Sequence, residues 1–259
     1  MTRNYFIKFI KRTVLLSHAR LVFYFTVLRT VPGPTSTLNN EWAKCSTHNR
    51  SKEDFMNDES WRKSSLDHRC QFRHWPLNSN PIRETGLDIL VNNAGILERG
   101  SIENTSLESY DRVMNINVRA VYQLSMLAVP HLTKTKGNIV NVSSVNGIRS
   151  FTGVLAYNMS KAALDQFTQC VALELAPKGI RVNSVNPGVI LTDIHKRSGL
   201  TPEEYKQFLE KSKATHALGR TGSAEEVAQA IAFLASSNSS FCTGVLLPVD
   251  GGRHAMCPR

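Results

Sequence analysis

Leu87-Asp88-Ile89-Leu90-Val91-Asn92-Asn93-Ala94-Gly95 is the stretch that decides how this chain folds. Its opening is apolar except for Asp88, and the run breaks off into two asparagines, an alanine and a glycine. A short continuous apolar run suits a strand of a parallel sheet covered on both faces. The turn behind it ends in glycine, which lets backbone approach a ligand closely. Downstream, residues 107–134 read as two helical stretches, 138–143 as a strand, 155–176 as a helix and 180–185 as a strand. Residues 201–213 read as a charged helix with Thr201 as its cap and Pro202 in its first turn. Ser223 caps a helix over 224–235, and Glu226 completes a capping box. Residues 245–249 form the last strand. Strands alternating with helices predict an α/β fold built on a doubly wound parallel sheet.

Upstream of Gly86 the texture differs. Residues 1–85 contain one glycine, Gly33, and hold 14 Lys/Arg against 7 Asp/Glu, whereas the remainder holds 17 against 14. The net charge of +10 is therefore concentrated in the least organised part of the chain. That asymmetry reads as stray basic sequence rather than a nucleic-acid surface, and there is no RNA-binding signature, zinc spacing or basic-aromatic stripe. Pro32-Gly33-Pro34 and a polar Ser/Thr/Asn stretch follow, and Trp42, Trp61 and Trp75 sit in no periodic pattern. The expected division is a poorly organised basic segment over 1–85, an organised portion over 86–252 and a tail over 253–259. At 259 residues, 41% hydrophobic and 20% charged, the chain is long enough and ordinary enough for one α/β domain with a sizeable core. The best apolar run of the N-terminal segment, 21–28 between Arg20 and Arg29, is too short to span a bilayer. Residues 1–31 carry six Lys/Arg and no acid, as a mitochondrial presequence does in part. Cytoplasm is the default location and mitochondria the alternative. The five cysteines are scattered with no CxxC pair, which points to a reducing compartment and away from a disulfide frame or a metal site.

Tyr157-Asn158-Met159-Ser160-Lys161 places a phenol and an ammonium four residues apart, on one face of a helix. Ser144 lies thirteen residues before the tyrosine, at the end of the run Ile139-Val140-Asn141-Val142. A tyrosine that donates a proton, a lysine whose charge makes it more acidic and a serine that holds an oxygen form an acid/base site for carbonyl–alcohol interconversion. Such chemistry needs a hydride carrier.

From about residue 86 to 252 the sequence resembles the short-chain dehydrogenase/reductase family, with the β-ketoacyl-carrier-protein-reductase-like branch nearest. The motifs that carry the resemblance are Asn92-Asn93-Ala94-Gly95, Asn117, Ser144, Tyr157-x3-Lys161, Asn186-Pro187-Gly188 with Thr192, and Asp250-Gly251-Gly252, in order. The resemblance implies a Rossmann-like fold, an NAD or NADP cofactor and a small carbonyl or alcohol substrate. It implies a homodimer or homotetramer built through helices in 107–132 and 155–176. Tyr157 then acts as general acid in reduction and base in oxidation, Ser144 binds the substrate oxygen, Lys161 also holds the nicotinamide ribose, and Asn117 holds a water linking Lys161 to solvent. The family register favours Asn117 over Asn115, and Ser144 over Ser143. Asn92, Ala94 and Gly95 lie toward the adenosine side, Pro187 and Gly188 end a strand, and the backbone of Ile190 and the hydroxyl of Thr192 hold the carboxamide. His195, His216 and His254 are expected as loop residues without a catalytic part, and Arg220 and Asp250 as fold or subunit contacts. The substrate pocket is expected from 145–152 and 191–209, where Phe151, Ile194, Tyr205 and Phe208 suggest an apolar substrate.

One part of that pattern is missing. The family opens on a strand and a Gly-x-x-x-Gly-x-Gly turn whose backbone meets the pyrophosphate at a helix N-terminus. This chain has no such loop. Without the opening strand the run 87–91 has an open edge, which invites aggregation. Residues 21–28 are the one candidate for a surrogate strand, although no turn chemistry or helix follows to complete a βαβ unit. Three readings result: an active NAD(P)-dependent oxidoreductase; an inactive or truncated relative acting at most as a binding or oligomer partner; or a splice form or faulty gene prediction whose first 85 residues are foreign.

Overall fold

The structure, a computed structural model, describes residues 87–256 in full except for the Lys196 side chain, and the backbone of two earlier strands. The chain divides into a unit of Lys8–Arg29 and Gly86–Arg259 and another of Met1–Ile7 and Thr30–Thr85. The first of these holds every site residue discussed below. Among the described residues one sheet runs in the order β1 (Tyr5–Val14), β2 (Phe23–Pro32), β3 (Ile89–Asn92), β4 (Asn138–Val142), β5 (Arg181–Pro187), β6 (Leu246–Val249). Strands β3 to β6 are parallel. Between them run α1 (Leu107–Met114), α2 (Ala120–Thr135), the short α3 (Val145–Ile148), the long α4 (Leu155–Leu175), the short α5 (Ile194–Arg197), α6 (Pro202–Ala214) and α7 (Ala224–Ala235). The expected doubly wound α/β architecture is present. No helix among the described residues is long and apolar enough to cross a membrane.

The edge of β3 is covered in a way the alternation of strands and helices does not foretell. Strand β2 lies antiparallel to it, with Thr26, Val27 and Leu28 opposite Val91, Leu90 and Ile89. A βαβ unit would have delivered a parallel neighbour. An antiparallel one needs no crossover helix and still pairs the edge backbone groups of β3, which is why a surrogate strand forms where no βαβ unit can.

Register explains how the sheet turns from core into site. Leu90, Ile139 and Val182 pair in one row across β3, β4 and β5. They pack with Ala128 and Leu132 of α2 and Ala172 and Leu175 of α4. Side chains alternate along a strand, so Asn138, next to Ile139, faces the other way and donates to the Ala235 carbonyl of α7 at 3.0 Å. Two residues further along the first face the row becomes Asn92, Asn141 and Ser184. Asn92 Nδ2 donates to Asn141 Oδ1 at 2.8 Å, and Asn141 Nδ2 donates to Thr168 Oγ1 of α4 at 2.9 Å. The layer between sheet and α4 is therefore apolar at one end and hydrogen-bonded toward the C-terminal edge of the strands.

Candidate active site

At that edge β4 runs into Ser144, which caps α3 by accepting from the Asn146 backbone N–H at 3.2 Å. Helix α4 returns along the sheet and carries Tyr157, Lys161 and Asp165 one turn apart, all buried. The Ser144 hydroxyl lies close enough to the Tyr157 phenol to favour its ionised form. The Lys161 ammonium lies 5.6 Å from the centre of the Tyr157 ring and donates to the Val142 carbonyl at 2.9 Å. Asn117 sits in a single π-helical turn, Asn115–Arg119, between α1 and α2, a distortion that recurs at functional sites. It is fully buried. Its Oδ1 accepts from Ile96 N at 2.9 Å, and its Nδ2 donates to Ile96 O at 2.9 Å and to Ser160 Oγ at 3.0 Å. A Cβ on Gly95 would stand 3.3 Å from Asn117 Oδ1 and 3.6 Å from Lys161 Nζ. Glycine thus keeps the turn after β3 close to both. The structure brings Ser144, Tyr157, Lys161, Asn117 and Gly95 together as the sequence predicts. Ser143 Oγ donates to the Lys161 backbone carbonyl at 3.2 Å, and Asn115 opens the π turn.

Burial sets the acidities. It pushes the Tyr157 phenol up to about 12, against which the Ser144 hydroxyl works. It brings Lys161 down to about 8, opposed by the charge of Asp165. The ammonium is turned to the Val142 carbonyl, and loss of hydration outweighs other influences on the phenol.

The remaining predicted positions lie on or just beyond the same edge. Asn92 is buried within the amide row, its Nδ2 also reaching Ser125 Oγ at 3.3 Å. Ala94 is half-buried in the turn. Pro187 ends β5, and Gly188 N donates to Val249 O at 3.1 Å. Ile190 forms an isolated bridge with Gly222, and Thr192 is exposed. Of the histidines, His195 lies in α5, not in a loop, with its ring 4.6 Å from that of Phe208. Burial, with Arg253 and Arg99 nearby, lowers it to about 4, so it is neutral. His216 is buried rather than on an open loop. Its Nδ1 lies 2.6 Å from Ser212 O and its Nε2 accepts from Val189 N at 3.1 Å, which anchors the strand end after Pro187. His254 pairs with Asp250 at 2.9 Å. Sequence reasoning missed the structural part of His216, which has no local spacing signal. It also missed Arg99, Ser101 and Asn104, which with Thr152, Gly153 and Val154 line a cavity of about 570 Å³ at the start of α4. That lining is part polar and part apolar. Phe151 faces Arg253 at 4.4 Å, and Phe208 faces His195. Two of the aromatic residues that suggested an apolar substrate are thus stacked on polar or charged side chains.

A family model described as enoyl-(acyl carrier protein) reductase matches residues 82–254. A solved short-chain dehydrogenase/reductase of unknown function from Caenorhabditis elegans, with cofactor, superposes at a TM-score of 0.62 and 35% identity over 66% of this chain and 67% of that one. The chain belongs to the short-chain dehydrogenase/reductase family. Among curated relatives of this short-chain dehydrogenase/reductase, cyclopentanol dehydrogenase of Comamonas sp. is 44% identical over 170 residues, 65% of this chain and 66% of the relative. L-xylulose reductase of Caenorhabditis elegans is 41% identical over 165 residues, 63% and 64% of the two chains. Ligand-free aldohexose dehydrogenase of Thermoplasma acidophilum superposes at a TM-score of 0.63 with 35% identity, over 67% of this chain and 70% of that one. The chain thus spans about two thirds of the length of the curated relatives it matches.

Members of the family use NAD or NADP. The described residues fit the nicotinamide-ribose half of that cofactor. Lys161 has three N–H donors and one protein acceptor, Val142 O, among the described residues, and it lies beside a glycine turn. Described residues that would cradle a pyrophosphate in a glycine-rich turn are absent.

Proposed function

We propose that the chain is an oxidoreductase that interconverts a secondary alcohol and a carbonyl, using NAD or NADP and the residues Ser144, Tyr157, Lys161 and Asn117. The observation that carries this reading is the convergence of Ser144, Tyr157 and Lys161, all buried, with the Lys161 ammonium 5.6 Å from the centre of the Tyr157 ring. The bound cofactor supplies or accepts the hydride. Tyr157 gives its phenolic proton to the carbonyl oxygen in reduction and takes one back in oxidation. Ser144 Oγ donates to the same oxygen and stabilises its developing charge. Lys161 donates to the ribose hydroxyls, Asn117 holds the Ile96 backbone and a proton path, and Ile190 and Thr192 hold the carboxamide. Asn92, Ala94, Gly95, Pro187 and Gly188 shape the surface on which the cofactor rests. Arg99, Ser101, Asn104 and Thr152 in the cavity beside α4 offer partners for a small hydroxylated substrate, in line with relatives named for butanediol and xylulose. Residues 86–252 form the catalytic portion in this reading, and a second copy of the chain packs on α2 and α4.

A competing reading is a chain that binds ligand or partner without turnover. One observation favours it: no glycine-rich phosphate turn is present in the sequence. Titrating the purified full chain with NADH and NADPH, then following absorbance at the nicotinamide band with L-xylulose or acetoin, separates the two. The proposal predicts binding and a turnover that Tyr157→Phe lowers about 10²- to 10⁴-fold. A folded chain that binds neither nucleotide overturns it.

A further inference from the structure

Asp165 is a buried carboxylate to which the chemistry above gives no task. It follows Lys161 by four residues on α4, on the face that also carries Tyr157, and only 4% of it is exposed. A buried carboxylate needs a reason to be there, because desolvation disfavours its charged form. Its surroundings are built for the anion. Asn186 Nδ2 lies 3.0 Å from each carboxylate oxygen and 3.0 Å from the Ser144 backbone carbonyl. Ser184 Oγ donates to Asn186 Oδ1 at 2.7 Å, which fixes the amide with its NH₂ toward Asp165. Across from the carboxylate stands Gly147, where any Cβ would overlap Asp165 Oδ2. Asn186 and Ser184 of β5 and Gly147 of α3 therefore leave the carboxylate one position.

We propose that Asp165 is a positioning residue of the site: its carboxylate, locked by Asn186 and Gly147, is the fixed counter-charge that keeps the Lys161 ammonium cationic beneath Tyr157. The proposal rests on Lys161 being the charged member of the proton-transfer pair. The geometry is the helical i, i+4 relation, in which an acid and a base reinforce each other, here inside the protein where screening is weak. The ionisable groups around Lys161 are Tyr157, neutral at physiological pH, and Asp165. Asp165 is the charge that acts on Lys161 and Lys161 the one that acts on Asp165, each in the direction of its partner's ionised form. Burial alone would strip the proton from the lysine; the carboxylate opposes this. The same carboxylate, through Asn186, holds the carbonyl of Ser144, so the charge under Tyr157 and the backbone of the serine beside it are set by one group.

The test needs no turnover. The full chain is labelled at lysine Cε and aspartate Cγ, and the Lys161 resonance, assigned with Lys161→Arg, is followed by NMR from pH 5 to 11. In the unmodified chain the Lys161 midpoint is expected near 8. In Asp165→Asn it is expected about one pH unit lower or more, while Asp111→Asn, an exposed acid of α1, leaves it in place. A folded Asp165→Asn chain with an unmoved midpoint overturns the proposal. If that variant does not fold, the unmodified chain decides: the Asp165 Cγ resonance must inflect at the Lys161 midpoint, and a flat trace there overturns the proposal equally. A midpoint that moves in a chain with no measurable turnover leaves Asp165 its part and removes the catalytic reading instead.

Discussion

Burial moves the three buried ionisable groups of α4 in directions fixed by their charge: Tyr157 and Asp165 upward, Lys161 downward. The consequence for pH is specific. With Tyr157 near 12, the phenol stays protonated through the physiological range, so it can serve as acid for reduction at neutral pH. Lys161, near 8, is cationic below that value and loses its charge as pH rises through it. We therefore expect kcat/KM for reduction to be level below pH about 8 and to fall above it, a limb that belongs to Lys161; a profile level to pH 10 contradicts this. His216 yields a second prediction. Burial lowers its pKa from the ordinary 6.5. A depressed histidine contributes stability above its unfolded value and loses it as pH falls through the folded one. Thermal unfolding of the chain should thus weaken below pH 6.5, and His216→Gln should flatten that acid-side slope while lowering stability at pH 8, since the Val189 N–H is otherwise left to a poorer acceptor. Neither effect has a signature in the sequence around residue 216, because the partners, Ser212 and Val189, meet it through the fold.

Legibility differs from element to element for physical reasons. Helices α6 and α7 could be read from their caps. The predicted cap at Thr201 and the predicted box at Ser223 are both present, and Thr201 proves to head a box as well, with Thr201 and Ser223 accepting from the N–H of Glu204 and Glu226, and each glutamate accepting from the cap backbone. Removing one such cap costs about 1 kcal/mol, so Ser223→Ala should lower unfolding free energy by about that amount in urea titration, with an unchanged slope; no loss would mean that Arg220, paired with Glu226 at 2.6 Å, holds the helix start alone. Strands β3 to β5 were legible as apolar runs, Tyr157 and Lys161 as a pair from their helical spacing, and Ser144 and Asn117 only through the family resemblance. Helices α3 and α5, four residues each, were not, since so short a helix has no apolar period to detect. The π turn that carries Asn117 was read only as a break between two helical stretches. Asp165 was missed because a lone acid on a helix looks solvent-facing until the asparagine across the sheet is known.

At the scale of the whole molecule, what remains exposed tells how the chain is expected to associate. Tyr122 and Met126 of α2 stand 59% and 56% open and Leu173 of α4 77% open, though all three are large and apolar. Tyr122 lies one turn from Met126, and its ring is 5.9 Å from that of Phe167 on α4, so the two helices present one surface rather than scattered residues. The opposite sides of α2 and α4 are spent on the core through Ala128, Leu132, Ala172 and Leu175. A two-fold pairing would set each copy's patch against the same patch of the other, the self-complementary arrangement of most homodimers. We expect the full chain to sediment as a dimer or tetramer, and Tyr122→Glu with Met126→Glu to shift it to monomer, because two carboxylates per protomer would then face their own copies across an apolar seam. The lysine titration should survive that change, since Lys161 and Asp165 lie on the buried side of α4. A native chain that sediments as a monomer at micromolar concentration would contradict the pairing, and the exposed apolar patch would then stand as an aggregation surface on a single copy.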